Sequence, residues 1–254
     1  MFSFFKKQPT VSTFAALRVD MHSHLLPGID DGAQTLADSM TLIKRLADLG
    51  FEELWTTPHV MADLYPNTPA VIQAKLAEVR TAVQAAGLTI RVNAAAEYLM
   101  DEAFGAKIEQ GLLTLPGNRV LVEMSFVSPP PQLEQYLFQL QTKGYRVVLA
   151  HPERYLYYHG EITFFERLHT RGIELQVNLL SLTRHYGSLT TKNALQLLEA
   201  GLVDYLATDM HHANHAGKTA QMLTDKQSSQ LLAKYLKSMK NHELADDLVK
   251  KSTN

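Results

Sequence analysis

Two histidines two residues apart, His22 and His24, open a series of imidazoles and carboxylates that recurs along the chain. His59 stands in Thr-Thr-Pro-His, Glu97 in Ala-Ala-Glu-Tyr and Glu123 in Val-Glu-Met-Ser. His151 stands in Ala-His-Pro-Glu-Arg-Tyr, and Asp209 with His211 repeats the two-residue spacing in Thr-Asp-Met-His. Asp31 lies in the loop Pro-Gly-Ile-Asp-Asp-Gly that follows the first pair. Alternate residues of a strand project to one side, so each spaced pair can serve one centre. Nitrogen and oxygen donors without sulfur suit zinc, manganese or iron. Taken singly, a strand-end histidine is usually a hydrogen-bonded structural residue, and a strand-end glutamate a cap or a solvated rim charge. Repetition at six of seven strand ends argues instead for a shared site, because buried charges need partners. Nine candidate ligands exceed what one ion uses, which points to two or three metals.

The elements that must position these groups follow from hydrophobic periodicity. Short strands are expected at residues 17–21, 53–57, 88–96, 119–124, 146–150, 173–178 and 203–208. Helical spacing marks residues 35–49, 68–86, 129–142, 162–170, 190–200 and 226–250, with Gly50, Gly87 and Gly144 as stops. Alternating strands and helices with short connections predict an α/β fold with a parallel sheet, either a barrel or a doubly wound sheet. A barrel gathers its reactive groups at the C-terminal strand ends, where all the donors above would meet. The run Pro129-Pro130-Pro131 reads as a rigid loop and helix start. Gly28 and Gly32 form no phosphate-binding loop of the dinucleotide or P-loop kind. His159, His169, His185 and His242 read as surface or capping residues. His212 and His215, which flank the last donors, are candidates for substrate contact, and Tyr98 and Tyr155 can pack or contact substrate.

The whole chain sets further limits. Its 254 residues, 46% hydrophobic, suffice for a sizeable core, and no linker or repeat divides them. One domain is expected over residues 19–254, C-terminal helices included, preceded by an arm over residues 1–18. Twenty-four basic against 26 acidic side chains argue against a general nucleic-acid binder. The absence of cysteine excludes disulfides, zinc fingers, iron–sulfur clusters and thiol nucleophiles. No transmembrane or secretory segment is expected, so the expected location is cytoplasmic. Phe2, Phe4 and Phe5 read as packing residues of the arm, with Lys6 and Lys7 as a weak membrane contact.

The segment Asp20-Met21-His22-Ser23-His24-Leu25-Leu26-Pro27-Gly28-Ile29-Asp30-Asp31-Gly32 resembles the opening motif of the PHP (polymerase and histidinol phosphatase) superfamily. Its Leu-Pro-Gly-Ile-Asp-Asp-Gly part is similar to one branch, the bacterial manganese-dependent protein-tyrosine phosphatases of capsular and exopolysaccharide gene clusters. Thr57-Pro58-His59, Ala96-Glu97-Tyr98, Val122-Glu123, residues 150–155 and Thr208-Asp209-Met210-His211 match the later motifs in order. The resemblance implies a distorted (β/α)7 barrel holding two or three divalent ions, manganese first, with iron or zinc as alternatives. It implies that His22, His24, Glu97 and Asp209 bind a first metal. Glu97 would bridge to a second completed by Glu123 and His151, and Asp31, His59 and His211 would hold a third. Arg154 matches the family's phosphate-binding arginine. Where the family places an arginine shortly after the final Asp-x-His, this chain has Lys218.

The expected reaction is hydrolysis of a phosphomonoester by attack of a metal-bound hydroxide, with Arg154, Glu97 and Asp209 as the catalytic residues. Arg154, Lys218 and His212 are the substrate-binding candidates. The implied substrate is a phosphotyrosine protein, a bacterial tyrosine kinase or a related protein of polysaccharide assembly. Phosphotyrosine leaves as a phenolate with a pKa near 10, which lessens the need for a strong general acid. The competing readings are a histidinol-phosphate or other small-molecule phosphatase, a metal hydrolase of the amidohydrolase kind, and a non-catalytic partner of a polysaccharide-assembly kinase.

Overall fold

The structure, a computed structural model, describes residues 8–245. Phe2, Phe4, Phe5, Lys6 and Lys7, and the end of the expected C-terminal helix, lie outside the described residues. In chain order the elements are β1 (Val19–Asp20), α1 (Leu36–Asp48), β2 (Glu53–Thr56), β3 (His59–Val60), α2 (Pro69–Ala85), β4 (Arg91–Ala94), β5 (Glu97–Leu99) and α3 (Phe104–Gln110). There follow β6 (Arg119–Glu123), α4 (Leu133–Thr142), β7 (Arg146–Ala150), α5 (Ile162–Thr170), β8 (Glu174–Asn178), α6 (Ser188–Glu199), β9 (Tyr205–Ala207), α7 (Ala213–Thr224) and α8 (Lys226–Tyr235).

Local chemistry explains these boundaries. Thr35 accepts the Asp38 N–H through its hydroxyl, and the Asp38 carboxylate accepts the Thr35 N–H in return, so α1 begins with a capping box. Leu42, Ile43 and Leu46 form its buried face. Thr68 caps α2 in the same sense, with Pro69 in its first turn. At Gly50, φ is +101°, and a Cβ there would sit 3.1 Å from both Ala15 N and Thr13 Cβ. The exit of α1 therefore admits the chain that leads into β1, and Phe14 stacks on Phe51 with ring centroids 5.6 Å apart.

Every strand pairing is parallel. β1, β2 and β4 form one sheet, and β3, β5, β6, β7, β8 and β9 follow one another in the second. The two sheets share two chain paths, because β2 leads into β3 across Thr57-Pro58 and β4 into β5 across Ala95-Ala96. The strand expected over residues 88–96 thus pairs only from Arg91 and resumes beyond Ala96. Beyond β1, Ser23 bridges Met210 in parallel, His24 N–H donates to Met210 O at 2.8 Å, and Asp209 N–H donates to His22 O at 2.9 Å. At the other end of that seam the Asn241 amide donates to Val19 O (3.0 Å) and Leu206 O (2.7 Å) and accepts Leu206 N–H (3.2 Å).

The period of two along the strands separates two apolar clusters. Val120 and Val122, Val147 and Leu149 pack with the helices in the larger one. Leu121, Val148, Ala150, Val19, Met21, Trp55, Tyr205 and Ala207 form the smaller one, together with Leu244 and Ala245 from the C-terminal segment. Helices α3 and α7 were not expected. The expected helix from Lys226 to Lys250 stops at Tyr235, and a 3-10 turn follows over Leu236–Ser238. Beyond it the chain is tied to Asp204, whose backbone oxygen accepts Lys240 N–H and whose carboxylate holds Lys240 Nζ at 2.6 Å. No helix among the described residues is long and apolar enough to cross a membrane.

Candidate metal centre

The nine candidate donors come together where β1, β2, β4, β6, β7 and β9 end. His22 and His24 leave β1, His59 and Glu97 begin β3 and β5, and Glu123 ends β6. His151 follows β7, Asp209 and His211 follow β9, and Asp31 reaches in from its loop. His22 Nε2 lies 3.2 Å from His24 Nε2, 3.1 Å from Glu97 Oε2 and 3.3 Å from Asp209 Oδ1. His24 Nε2 lies 3.4 Å from Glu97 Oε2 and 3.5 Å from Asp209 Oδ1. Ion–donor bonds of about 2.0–2.2 Å place neighbouring ligand atoms about 3.0–3.5 Å apart, so this spacing suits a cation between them.

Two further sets adjoin the first. Glu97 Oε1 is 3.0 Å from His151 Nε2, and Glu97 Oε2 is 3.2 Å from His59 Nδ1. His59 Nδ1 and Glu123 Oε1 lie 2.9 Å apart, yet both are buried and neither has a hydrogen-bond partner of acceptable geometry. Two facing buried polar atoms in that state are what a cation would satisfy. Asp31 Oδ1 is 3.5 Å from His59 Nε2 and 3.5 Å from His211 Nε2. Four groups whose donor atoms could hold an ion result: His22, His24 and Asp209; His22, Glu97 and His151; His59, Glu97 and Glu123; His24, Asp31, His59 and His211. They contain all nine donors. Their division differs from the resemblance in detail, for Glu123 groups with His59, and His151 with His22.

The electrostatics agree with the geometry. Burial works against a charged His22, but Glu97 and Asp209 beside it outweigh the lost water and push it up to about 9. His24 is likewise raised despite burial, chiefly by Asp30. Burial alone would raise Glu97 and Asp209, yet the surrounding imidazoles hold both well below the usual carboxylate range. Without metal, protons on His22, His24 and His59 are favoured by these carboxylates. Divalent ions bound by these ligands would replace that positive charge. The donor set and its orphaned atoms therefore fit such ions.

The groups that orient the donors were not foreseen. Asp30 accepts from His24 Nδ1 at 2.8 Å and from Gly32 N–H at 3.0 Å, so its carboxylate leaves His24 Nε2 facing the pocket. Gly32 packs so tightly that a Cβ would lie 2.2 Å from His24 O. Gln176 Oε1 sits 2.9 Å from His22 Nδ1, and Asn178 Nδ2 donates to Asp209 Oδ2 at 2.6 Å. These two fill the single strand end that carries neither histidine nor carboxylate among the donors. Glu174, Gln176 and Asn178 alternate along that strand, a polar period of two that was a readable signal. His151 (φ 33°) and Asp209 (φ 50°) both adopt left-handed backbone as their strands end, a costly conformation concentrated at functional sites.

Arg154 reaches the pocket from the 3-10 turn over Pro152–Arg154. Its Nη1 lies 3.3 Å from Asp209 Oδ2, and its guanidinium is sandwiched between Phe126 (4.4 Å to the ring centroid) and Tyr186 (4.5 Å). Buried Glu153 ties the turn to the chain beyond β8, accepting from Asn178 N–H and Ser181 Oγ. Lys218 and His212 are placed differently from Arg154. Lys218 Nζ lies 2.9 Å from His185 Nδ1, and His212 caps α7 by accepting His215 N–H. His185, expected as a surface or capping residue, instead joins this group, with its ring 5.2 Å from that of His215 and 4.5 Å from Tyr186. Tyr98 and Tyr155 pack: Tyr98 accepts Leu113 N–H, and Tyr155 accepts Met124 N–H and donates to Ala150 O.

A family profile described as "Capsular polysaccharide synthesis, CpsB/CapC" matches residues 18–245. The tyrosine-protein phosphatase YwqE of Bacillus subtilis (strain 168) is 29% identical over 196 residues, 76% of this chain and 77% of that one. The tyrosine-protein phosphatase CpsB of Streptococcus pneumoniae is 26% identical over 237 residues, 90% and 95% of the two chains. Among solved structures, one from a study of YwqE and CpsB as "unique metal-dependent tyrosine phosphatases" superposes with a TM-score of 0.71 at 25% identity, covering 87% of this chain and 95% of that one. A histidinol phosphate phosphatase from Lactococcus lactis shares the fold, with a TM-score of 0.51 at 14% identity over 83% and 93% of the two chains.

Proposed function

The chain belongs to the CpsB/CapC family of capsular polysaccharide synthesis, and on that premise we propose that it is a metal-dependent protein-tyrosine phosphatase. The observation that carries this reading is the convergence of five imidazoles and four carboxylates, with one arginine beside them, at the strand ends. The proposed ligands are His22, His24, Asp31, His59, Glu97, Glu123, His151, Asp209 and His211, holding two or three ions with manganese foremost. The proposed scaffold is a distorted (β/α)7 barrel within one domain over residues 19–254, supported by the isolated Ser23–Met210 bridge just beyond β1 and β9. The proposed substrate is a phosphotyrosine protein, such as a tyrosine kinase of capsule assembly, met in the cytoplasm.

When bound, the ions polarise phosphoryl oxygens and lower the pKa of water. The chain's own residues do the rest. Arg154 binds the non-bridging phosphoryl oxygens through its guanidinium fork. Asp209 and the two flanking rings hold that guanidinium in place. Gln176, Asp30 and Asn178 fix the direction of the donors before substrate arrives. No thiol exists to form a phosphocysteine intermediate.

The test is full-length protein stripped with chelator and assayed on phosphotyrosine, phosphoserine and histidinol phosphate with manganese, iron, zinc or magnesium restored. Metal-dependent turnover that favours phosphotyrosine is expected. No turnover with any metal, or a preference for histidinol phosphate, would overturn the reading.

A further inference from the structure

Beside the donor pocket lies a cavity of about 1030 Å³, bounded by the segment after β8 and by α6, α7 and α8. Its volume matches that of ordinary ligand sites, roughly 300–1,000 Å³. Leu195 and Met222 contribute apolar wall, while Arg184, Lys218 and Lys234 bring positive charge and His185 an imidazole that burial and Lys218 keep from protonating. One carboxylate, Asp225, lines it, and that group is engaged in capping α8 by accepting Ser228 N–H at 2.8 Å.

Positive charge is only partly balanced here, by Glu199 acting at a distance on Lys234, whose Nζ lies 4.7 Å from the Tyr235 ring centroid. Among the described residues no carboxylate forms an ion pair with Arg184, Lys218 or Lys234. Elsewhere exposed cations do find carboxylates, as in Lys75–Glu78, Lys143–Glu109 and Arg171–Glu134. The chain as a whole carries −2. Arg184 holds a left-handed backbone (φ 63°), where asparagine or glycine would be at less cost, and its N–H donates to Thr191 Oγ1 at 3.0 Å.

The cavity also adjoins the reaction centre. His185 and Lys218 lie on its wall, and the His185 ring contacts Tyr186, one of the two rings that clasp Arg154. A peptide whose phosphorylated side chain reached Arg154 would have this basic recess next to it.

We propose that the recess is a docking groove for acidic residues flanking the phosphotyrosine, so that the enzyme reads an anionic peptide segment beside the phosphate. The proposal rests on the phosphatase reading above. Charges at such a rim act through encounter rate and salt dependence more than through the chemical step.

The experiment compares three substrates with the metal-loaded full chain: para-nitrophenyl phosphate, a phosphotyrosine peptide with acidic flanks, and the same peptide with glutamine at those positions. The acidic peptide is expected to exceed the neutral one in kcat/KM by about tenfold at low salt and to approach it at high salt. Arg184→Asp with Lys234→Glu should abolish that preference while para-nitrophenyl phosphate turnover stays unchanged. Lys234→Glu alone, on an exposed helix position, should reduce it about threefold. Equal rates on the two peptides in the parent enzyme, or a preference that survives both substitutions, overturns the groove. Equal peptide rates with charge-dependent binding to phosphatidylglycerol vesicles would likewise overturn it by assigning the recess to a lipid surface. Failure of the phosphatase reading is separate, since it would show as no turnover of para-nitrophenyl phosphate.

Discussion

His22 shows what each donor needs besides its place at a strand end. Its Nδ1 meets Gln176 and its Nε2 faces Glu97 and Asp209, so both ring nitrogens are assigned before any ion binds. Loss of such an orienting partner typically costs ten- to a hundredfold in metal affinity. Asp30→Asn is therefore expected to weaken manganese binding by about that factor while leaving the protein folded, measured by calorimetric titration of the chelated protein. Arg154→Ala should lower kcat/KM by about a hundredfold with metal content preserved, as removal of one preorganised donor to a developing charge does. Metal loss in Arg154→Ala would show that the arginine has another task. His22 also sets a pH dependence for the chelated protein, because its folded pKa of about 9 exceeds the unfolded 6.5. The proton is held more tightly in the folded state, so this stabilisation is complete below pH 6.5 and is lost as pH rises through 9. Thermal melts in chelator should fall across that window, whereas manganese-loaded protein should hold its midpoint there.

Strands and helices decide how the donors meet, and here sequence and structure agree unevenly. Arg146–Ala150 and Ile162–Thr170 coincide with the expected strand and helix, because each has a clean period and a glycine or charged boundary. Eight of the nine candidate donors were legible at strand ends, where His-x-His and Asp-x-His interrupt apolar runs, and Asp31 in the loop after the first pair. Gln176 and Asn178 carried only the polar period they share with Glu174, and an uncharged amide within a strand names no chemistry until its neighbour across the sheet is known. Helix α7 escaped notice because His212, Ala213, Asn214 and His215 resemble a loop, yet His212 serves as its cap. Gly32 belongs to the same scale. Its loop closes over His24 with no room for a methyl group, so Gly32→Ala should cost about 1–3 kcal/mol and loosen the Asp30–His24 contact. A denaturant midpoint unchanged from the parent would show that the loop yields.

At the scale of the molecule, the C-terminal segment does more than the amphipathic helix expected for it. Leu244 and Ala245 join the smaller apolar cluster, and Asn241 inserts its amide between the first and last strands. No local pattern announces this, because the contact joins residues 35 and 222 positions apart in sequence. Asn241→Leu strands two buried carbonyls and one N–H, at a cost of about 1–3 kcal/mol for each unsatisfied group. Thermal denaturation should register that loss, and a midpoint equal to the parent's would refute the role. A backbone ladder cannot be deleted by changing one codon, but this side-chain tie can. Because it lies at the end of the strands remote from the chemistry, weakening it should yield a heat-labile allele: normal turnover in the cold, collapse on warming, and so a conditional switch for polysaccharide output.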